Sequence, residues 1–233
     1  RTVTAASAPA AFDPEGRNAF SPGGDSAFEM VRIPAGLCKR DGRMDILVEH
    51  DFFLARTELT QGQWRAITGT KPPHEQLPES ADCPVQGVTA DDARLLCQTL
   101  DVLHPVRGYR WTVPTQTQFE YAARAGETGA RPAADLDSIA WHAGNSAVRA
   151  AGSATPKKAS HPVATKAPNA FGLHDTIGNV SELCRSDGKR EEYASDGRVL
   201  LPILDPEADV TYYLACVGNE KRRFKTLFEQ IES

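Results

Sequence analysis

Apolar and polar residues alternate over 28–33, a period of two that predicts a strand. The same period predicts a second strand over 44–54, carried by Met44, Ile46, Val48 and Phe52. Helical spacing follows. Thr60 precedes Gln61-Gly62-Gln63-Trp64-Arg65-Ala66-Ile67, where a threonine hydroxyl caps a short helix. Gly69 ends it, because glycine accepts left-handed backbone. Thr89 caps a second helix from Ala90 to about Leu103, with Ala93, Leu96, Cys97 and Leu100 on one face at i, i+3, i+4 and i+7. Thr115, after Pro114, starts a third, with Phe119, Ala122 and Ala123 inward and Gly126 as its stop.

Between these elements the pattern is weak. Residues 127–168 are rich in Ala, Gly, Pro and Ser, with Trp141 as the large anchor, and predict a long ordered loop. Residues 1–26 are Ala-, Pro-, Ser- and Gly-rich and predict a flexible lead-in. The remainder, 27–233, is expected to form one domain of α+β class with short elements and long loops. Near the end, Phe224, Leu227, Phe228 and Ile231 recur at helix spacing beside a basic run, Lys221 to Lys225, and are expected to pack onto the domain.

Composition narrows the function. The chain has 233 residues, 40% hydrophobic and 24% charged, enough for one sizeable core. Its net charge of −5 gives no basic footprint for nucleic acid. No apolar run approaches the ~20 residues of a membrane helix. The chain begins at Arg1, so removal of a leading segment is expected. Cys38, Cys83, Cys97, Cys184 and Cys216 form no CxxC pair and no zinc spacing. Two readings of them stand: buried small residues, or one or two disulfides plus a free thiol. The second fits an extracytoplasmic address.

The most informative stretch is Pro168-Asn169-Ala170-Phe171-Gly172-Leu173-His174-Asp175-Thr176-Ile177-Gly178-Asn179-Val180-Ser181-Glu182-Leu183-Cys184. Glycine at bends, asparagine at left-handed positions and two carboxylates seven apart suit a loop that wraps a hard cation with side-chain and carbonyl oxygens. The stretch resembles the signature of the formylglycine-generating enzyme (sulfatase-modifying factor) family, P-N-x-F-G-L-x-D-M-x-G-N-V-x-E-W. Four further blocks resemble it in family order: Phe28 to Gly36, Phe52 to Trp64, Cys83 to Ala93 and Tyr109 to Arg124. The likeness runs from residue 28 to about 184 and leaves about 185–233 divergent.

The resemblance implies a loop-rich variant of the C-type lectin fold held by structural calcium. It implies that Asp175 and Glu182 bind calcium through side chains and Gly178 and Val180 through carbonyls. It implies a second, weaker calcium site at Asn145 and Ser146. His174 stands where the family often has Tyr and is expected to be a packed substitute. Family enzymes that make formylglycine bind copper through two nearby cysteines in a C-terminal G-G-S…G-F-R region. Here that region holds Cys216 alone, without those elements, so no copper and no such catalysis are expected. A family branch with non-haem iron needs clustered histidines, and the six here are widely spaced.

The chain is therefore expected to be a non-enzymatic binding or regulatory protein, exported to the bacterial periplasm or another extracytoplasmic site. It is similar in type to exported regulators of type VI secretion, which act upstream of a membrane-spanning Thr kinase. The expected partner is a protein of the envelope, such as the periplasmic domain of a membrane kinase. The alternatives are a metal-dependent oxidase of the formylglycine-generating type and a lectin-like module that binds glycans or peptides.

Overall fold

A computed structural model describes residues 28–39, 45–48, 50–73, 79–106, 108–129, 135–148, 157–185 and 203–205. The expected lead-in, Cys216 and the segment 221–231 lie outside the described residues.

A four-stranded antiparallel sheet has the order β1 (Met30–Ile33), β4 (Phe52–Ala55), β8 (Ile203–Asp205), β5 (Arg110–Thr112). β8 comes from beyond residue 185, where the resemblance was expected to end, and fills the gap between β4 and β5. All four residues of β4 are buried, as suits a central strand covered on both faces. A two-stranded antiparallel sheet pairs β2 (Gly36–Cys38) with β3 (Ile46–Val48). The continuous strand expected over 44–54 is thus two strands in two sheets. The break follows from Asp51, whose carboxylate accepts the Ala35 N–H at 2.6 Å and pairs with Arg32. The Ala35 bond, with help from the Arg32 charge, holds the Asp51 pKa below its ordinary value.

All three predicted helices form, each with a capping box. α1 (Gln61–Thr68) is capped by Thr60 with Gln63, α2 (Ala90–Leu103) by Thr89 with Asp92, and α3 (Gln116–Arg124) by Thr115 with Gln118. Gly69 ends α1 in the left-handed region at φ 67°. α3 ends one residue earlier than expected, on Ala125 at φ 47°, with Gly126 following at φ 95°. Its buried side is Tyr121, Ala122, Ala123 and Arg124, and Phe119 packs half-buried at the core's margin.

α2 lies against β5 and α1, and α3 against β3. Trp111 links α2 to the sheet: its backbone N–H donates to Asp101 Oδ1 at 3.0 Å and its indole N–H to the His104 carbonyl at 2.9 Å. Phe28 meets Trp111 edge-on at 5.6 Å between centroids. Met30, Ile33, Phe52, Leu54, Leu59, Leu96, Leu100, Trp111, Leu173 and Leu183 are the largest fully buried side chains. Each apolar one is worth about 1.5–3 kcal/mol of transfer free energy. The predicted long loop carries little regular structure among its described residues: α4 (Leu136–Ile139) and a two-residue pairing of β6 (Ala147–Val148) with β7 (Lys157–Lys158).

Thr89→Ala removes the hydroxyl that accepts the Asp92 N–H, while the backbone N–H of residue 89 keeps its bond to the Asp92 carboxylate, and is expected to cost about 1 kcal/mol. Leu100→Ala, inside the core, is expected to cost about 2–5 kcal/mol. Urea unfolding of the two variants beside the parent checks both values and their order.

Candidate functional site

The stretch 168–185 is folded by its own polar side chains. Asn169 Oδ1 accepts the Phe171 and Leu173 N–H groups, while its Nδ2 donates to the Ala122 and Ala123 carbonyls near the end of α3. That one amide closes a turn and seats it on a helix whose last carbonyls need donors. Leu173 is thereby driven into the core. His174 donates its backbone N–H to the Arg56 carbonyl and its Nδ1–H to the Lys166 carbonyl at 2.9 Å, so it is a packed connector. Arg185 closes the stretch by exchanging backbone bonds with Pro114 and Gln116.

Asp175, Gly178 and Asn179 all have positive φ, at 54°, 78° and 53°. At Gly178 the requirement is double, since a Cβ there would overlap the Trp141 carbonyl. Asn179 tolerates the left-handed region and spends its N–H and both side-chain amide atoms: its N–H donates to the Trp141 carbonyl at 2.7 Å and Oδ1 accepts the His161 N–H at 2.8 Å. Its Nδ2 donates to Glu58 Oε2 at 2.7 Å and to the His161 carbonyl at 3.2 Å.

Glu58 is the centre of this arrangement, and no motif in the sequence marked it as a site. It follows β4 and is fully buried. Besides Asn179 it accepts the Val180 N–H on Oε1 at 3.3 Å. Burial, and then the charges of Glu182 and Asp175, push its pKa well above the ordinary value. Burial also raises Asp175, against the opposing hydrogen bond from Ala164. A glutamate close behind an apolar strand was the available signal, since buried carboxylates are rare without a partner.

Of the expected calcium ligands, Asp175, Val180 and Glu182 therefore stand around Glu58, with Gly178 at the bend between them. Asp175 Oδ2 accepts the Ala164 N–H at 2.7 Å. Among the described residues, Asp175 Oδ1 is a buried oxygen that accepts no hydrogen bond, and Glu182 Oε1 is another, although Glu182 has other interactions. A buried acceptor in that state costs about 1–3 kcal/mol unless something satisfies it. The donor set is all oxygen, which fits a hard cation. Among the described residues no three His, Cys, Asp or Glu side chains converge as a metal-binding group, so such a cation would depend on main-chain oxygens as well.

Asn145 and Ser146 lie elsewhere, in a turn after Trp141. Asn145 Oδ1 accepts the His142 N–H, and its Nδ2 donates to Asp137 Oδ1 and to the Ala140 carbonyl. The Ser146 carbonyl accepts from Ala159 and faces the His161 ring. Trp141 stacks on His161 at 3.7 Å with Lys166 Nζ 4.1 Å from its ring centroid. Among the described cysteines, Cys38, Cys83 and Cys97 are buried and Cys184 is half-buried.

Comparison with known proteins places this arrangement. The Sulfatase-modifying factor enzyme 1-like domain matches over residues 18–202, and the chain belongs to that family. It is 24% identical over 175 residues to the chaperone protein LppX of Paenibacillus barcinonensis, with 58% of this chain covered. The chain spans about 61% of the length of that relative. Three solved structures share the fold. Treponema denticola variable protein 1 has a TM-score of 0.53 at 24% identity, covering 73% of this chain and 76% of the other. PvdO from Pseudomonas aeruginosa has 0.57 at 17%, covering 83% and 100%. CarF has 0.54 at 18%, covering 76% and 98%.

Gly178→Ala combines left-handed strain with overlap on Trp141 and is expected to cost more than about 2 kcal/mol, read from urea unfolding. A pH effect follows from Glu58. Its folded pKa is raised above the ordinary 4.5, so folding takes up a proton between the two values. The resulting stability is present below the ordinary value and is lost as pH rises toward the folded one. Chelator-treated protein is expected to melt lower at pH 8 than at pH 5, and Glu58→Gln to flatten that slope in calorimetry.

Proposed function

We propose that this member of the sulfatase-modifying factor family is a non-enzymatic binding and regulatory protein that works in the bacterial envelope by contact with another protein. The observation that carries the reading is how the family's signature loop uses its polar groups. Asn169, His174, Asp175 and Asn179 all bond to other loops or to α3, so they hold a frame rather than face a substrate. A rigid frame with loops at its surface supports recognition without chemistry. In this reading residues 27–233 are one domain on a variant of the C-type lectin fold, following a lead-in over 1–26.

Calcium would complete the frame. Asp175 and Glu182 would hold it through carboxylates and Gly178 and Val180 through carbonyls, replacing the missing bond at Asp175 Oδ1. Calcium there would neutralise the repulsion around Glu58 that protonation otherwise relieves. A second ion at Asn145 and Ser146 has less support, since the Asn145 side chain already closes its turn. Copper is not part of the proposal: a cuprous ion takes paired soft ligands, and Cys184 would need a second thiolate beside it.

By analogy with the exported regulators of type VI secretion, the protein would act in the periplasm, against the outer domain of a membrane kinase in a Thr-phosphorylation pathway. Among the described residues no helix is long and apolar enough to cross a membrane. One relative is named a chaperone protein, and that name supports this reading.

Elemental mass spectrometry of protein purified without chelator is expected to find about one calcium per chain and no copper. Asp175→Ala is expected to abolish the calcium. Calcium at a hundredfold over Kd is expected to raise Tm by about 5–10 °C, from ~2.7 kcal/mol of linkage in a chain of this size. Stoichiometric copper(I) with thiol-oxidising activity would instead make the protein an oxidase. A pull-down from envelope fractions that retains no envelope protein would remove the regulatory role.

A further inference from the structure

α2 has two apolar faces, and the domain covers one. Ala93, Leu96, Cys97 and Leu100 turn into the core. On the other side Leu95 is 59% exposed, Val102 79% and Leu103 50%. Leu95 and Val102 are seven apart, hence on one stripe, with Thr99 between them and Leu103 at its margin. Isolated exposed leucines need no explanation, but a helical stripe of them on a helix already anchored through its opposite face marks a docking surface.

We infer that this stripe is the seat of the chain's own segment 221–231. That segment carries Phe224, Leu227, Phe228 and Ile231 at i, i+3, i+4 and i+7, the complement a helix groove takes. Charge agrees with shape. The stripe begins at Asp91 and Asp92, of which Asp91 pairs with Arg94, and α2 as a whole has three aspartates to one arginine. The segment begins with Lys221, Arg222, Arg223 and Lys225. Laid with its basic end at Asp91 and Asp92, its apolar residues run toward Leu103.

The chain's exit point also agrees. β8 ends at Asp205, opposite Arg110 of β5. The next residue of β5, Trp111, is bonded to Asp101 and His104 of α2. The chain therefore leaves the sheet beside the exposed end of that helix. Eighteen residues separate Asp205 from Phe224, and an extended chain of that length reaches about 60 Å, ample to return along α2. Being tethered, the segment meets the stripe at high effective concentration, which favours it over a second molecule.

Hydrogen exchange on the full chain tests the inference. Deleting 220–233 is expected to raise exchange of the α2 amides over Leu96–Leu103 about tenfold and to leave those of α1 unchanged. The full-length double variant Phe224→Ser/Phe228→Ser is expected to do the same without shortening the chain, which separates docking from a failure to fold. Val102→Asp is expected to match it and to add nothing to the deletion. Unchanged α2 exchange in the double variant would overturn the inference. So would α2 protection that survives the deletion and grows with protein concentration in sedimentation-matched samples, since that gives the stripe to a second copy.

Discussion

A carboxylate buried with no cation beside it among the described residues is the constraint around which this molecule is arranged. Glu58 sits just past a fully buried strand, where an ionised group is costly. It is tolerated because the Asn179 amide and the Val180 N–H are delivered to it from a loop more than a hundred residues away in sequence. That delivery requires Asn179 in left-handed backbone, and left-handed backbone there requires Gly178 beside it, close against Trp141. The sheet, the signature loop and the Trp141 region are therefore one polar unit. Disturbing any of the three leaves a buried acceptor or donor unsatisfied, at about 1–3 kcal/mol each.

The same logic explains how so loop-rich a chain stays ordered. The loop regions bury few large side chains, so backbone bonds and side-chain amides do what core packing does elsewhere. Asn169 seats one loop on α3, Asn145 closes a second, and the Trp141–His161 stack joins that second loop to the residues that precede the signature. Each is local in space, and the first and last join residues far apart in sequence. Loops of this kind keep a fixed shape while their outer residues remain open to change, which suits a family whose members keep the frame at low identity.

What could be read from the sequence divides along the same line. Helices were legible to within a residue, because Thr60, Thr89 and Thr115 announce capping boxes and the apolar spacing of α2 is unambiguous. The 44–54 segment misled because alternation specifies a strand but not the sheet it joins. Only Asp51, bound to Ala35 and Arg32, marks the change of partner. The signature loop was legible as a polar stretch, and the charges of Asp175 and Glu182 act on Glu58, which accepts the Val180 N–H. Glu58 lies in the Phe52 to Trp64 block just behind an apolar strand, but its role as the centre of the site comes from tertiary burial and was not read from that block. Asn145 looked like a ligand but spends its side chain on its own turn, a choice that depends on where His142 and Asp137 fall in space.

The position of β8 shows how the later part of the chain enters the sheet. A segment added to a finished domain would pair at an edge of the sheet, where open backbone groups accept a newcomer. β8 instead lies between β4 and β5 and pairs with both. Without it Phe53 and Leu54 on one side and Trp111 and Thr112 on the other would lose their partners, and buried N–H and C=O groups would be exposed in the middle of the core. Residues 203–205 therefore supply a strand without which β4 and β5 lose their shared partner.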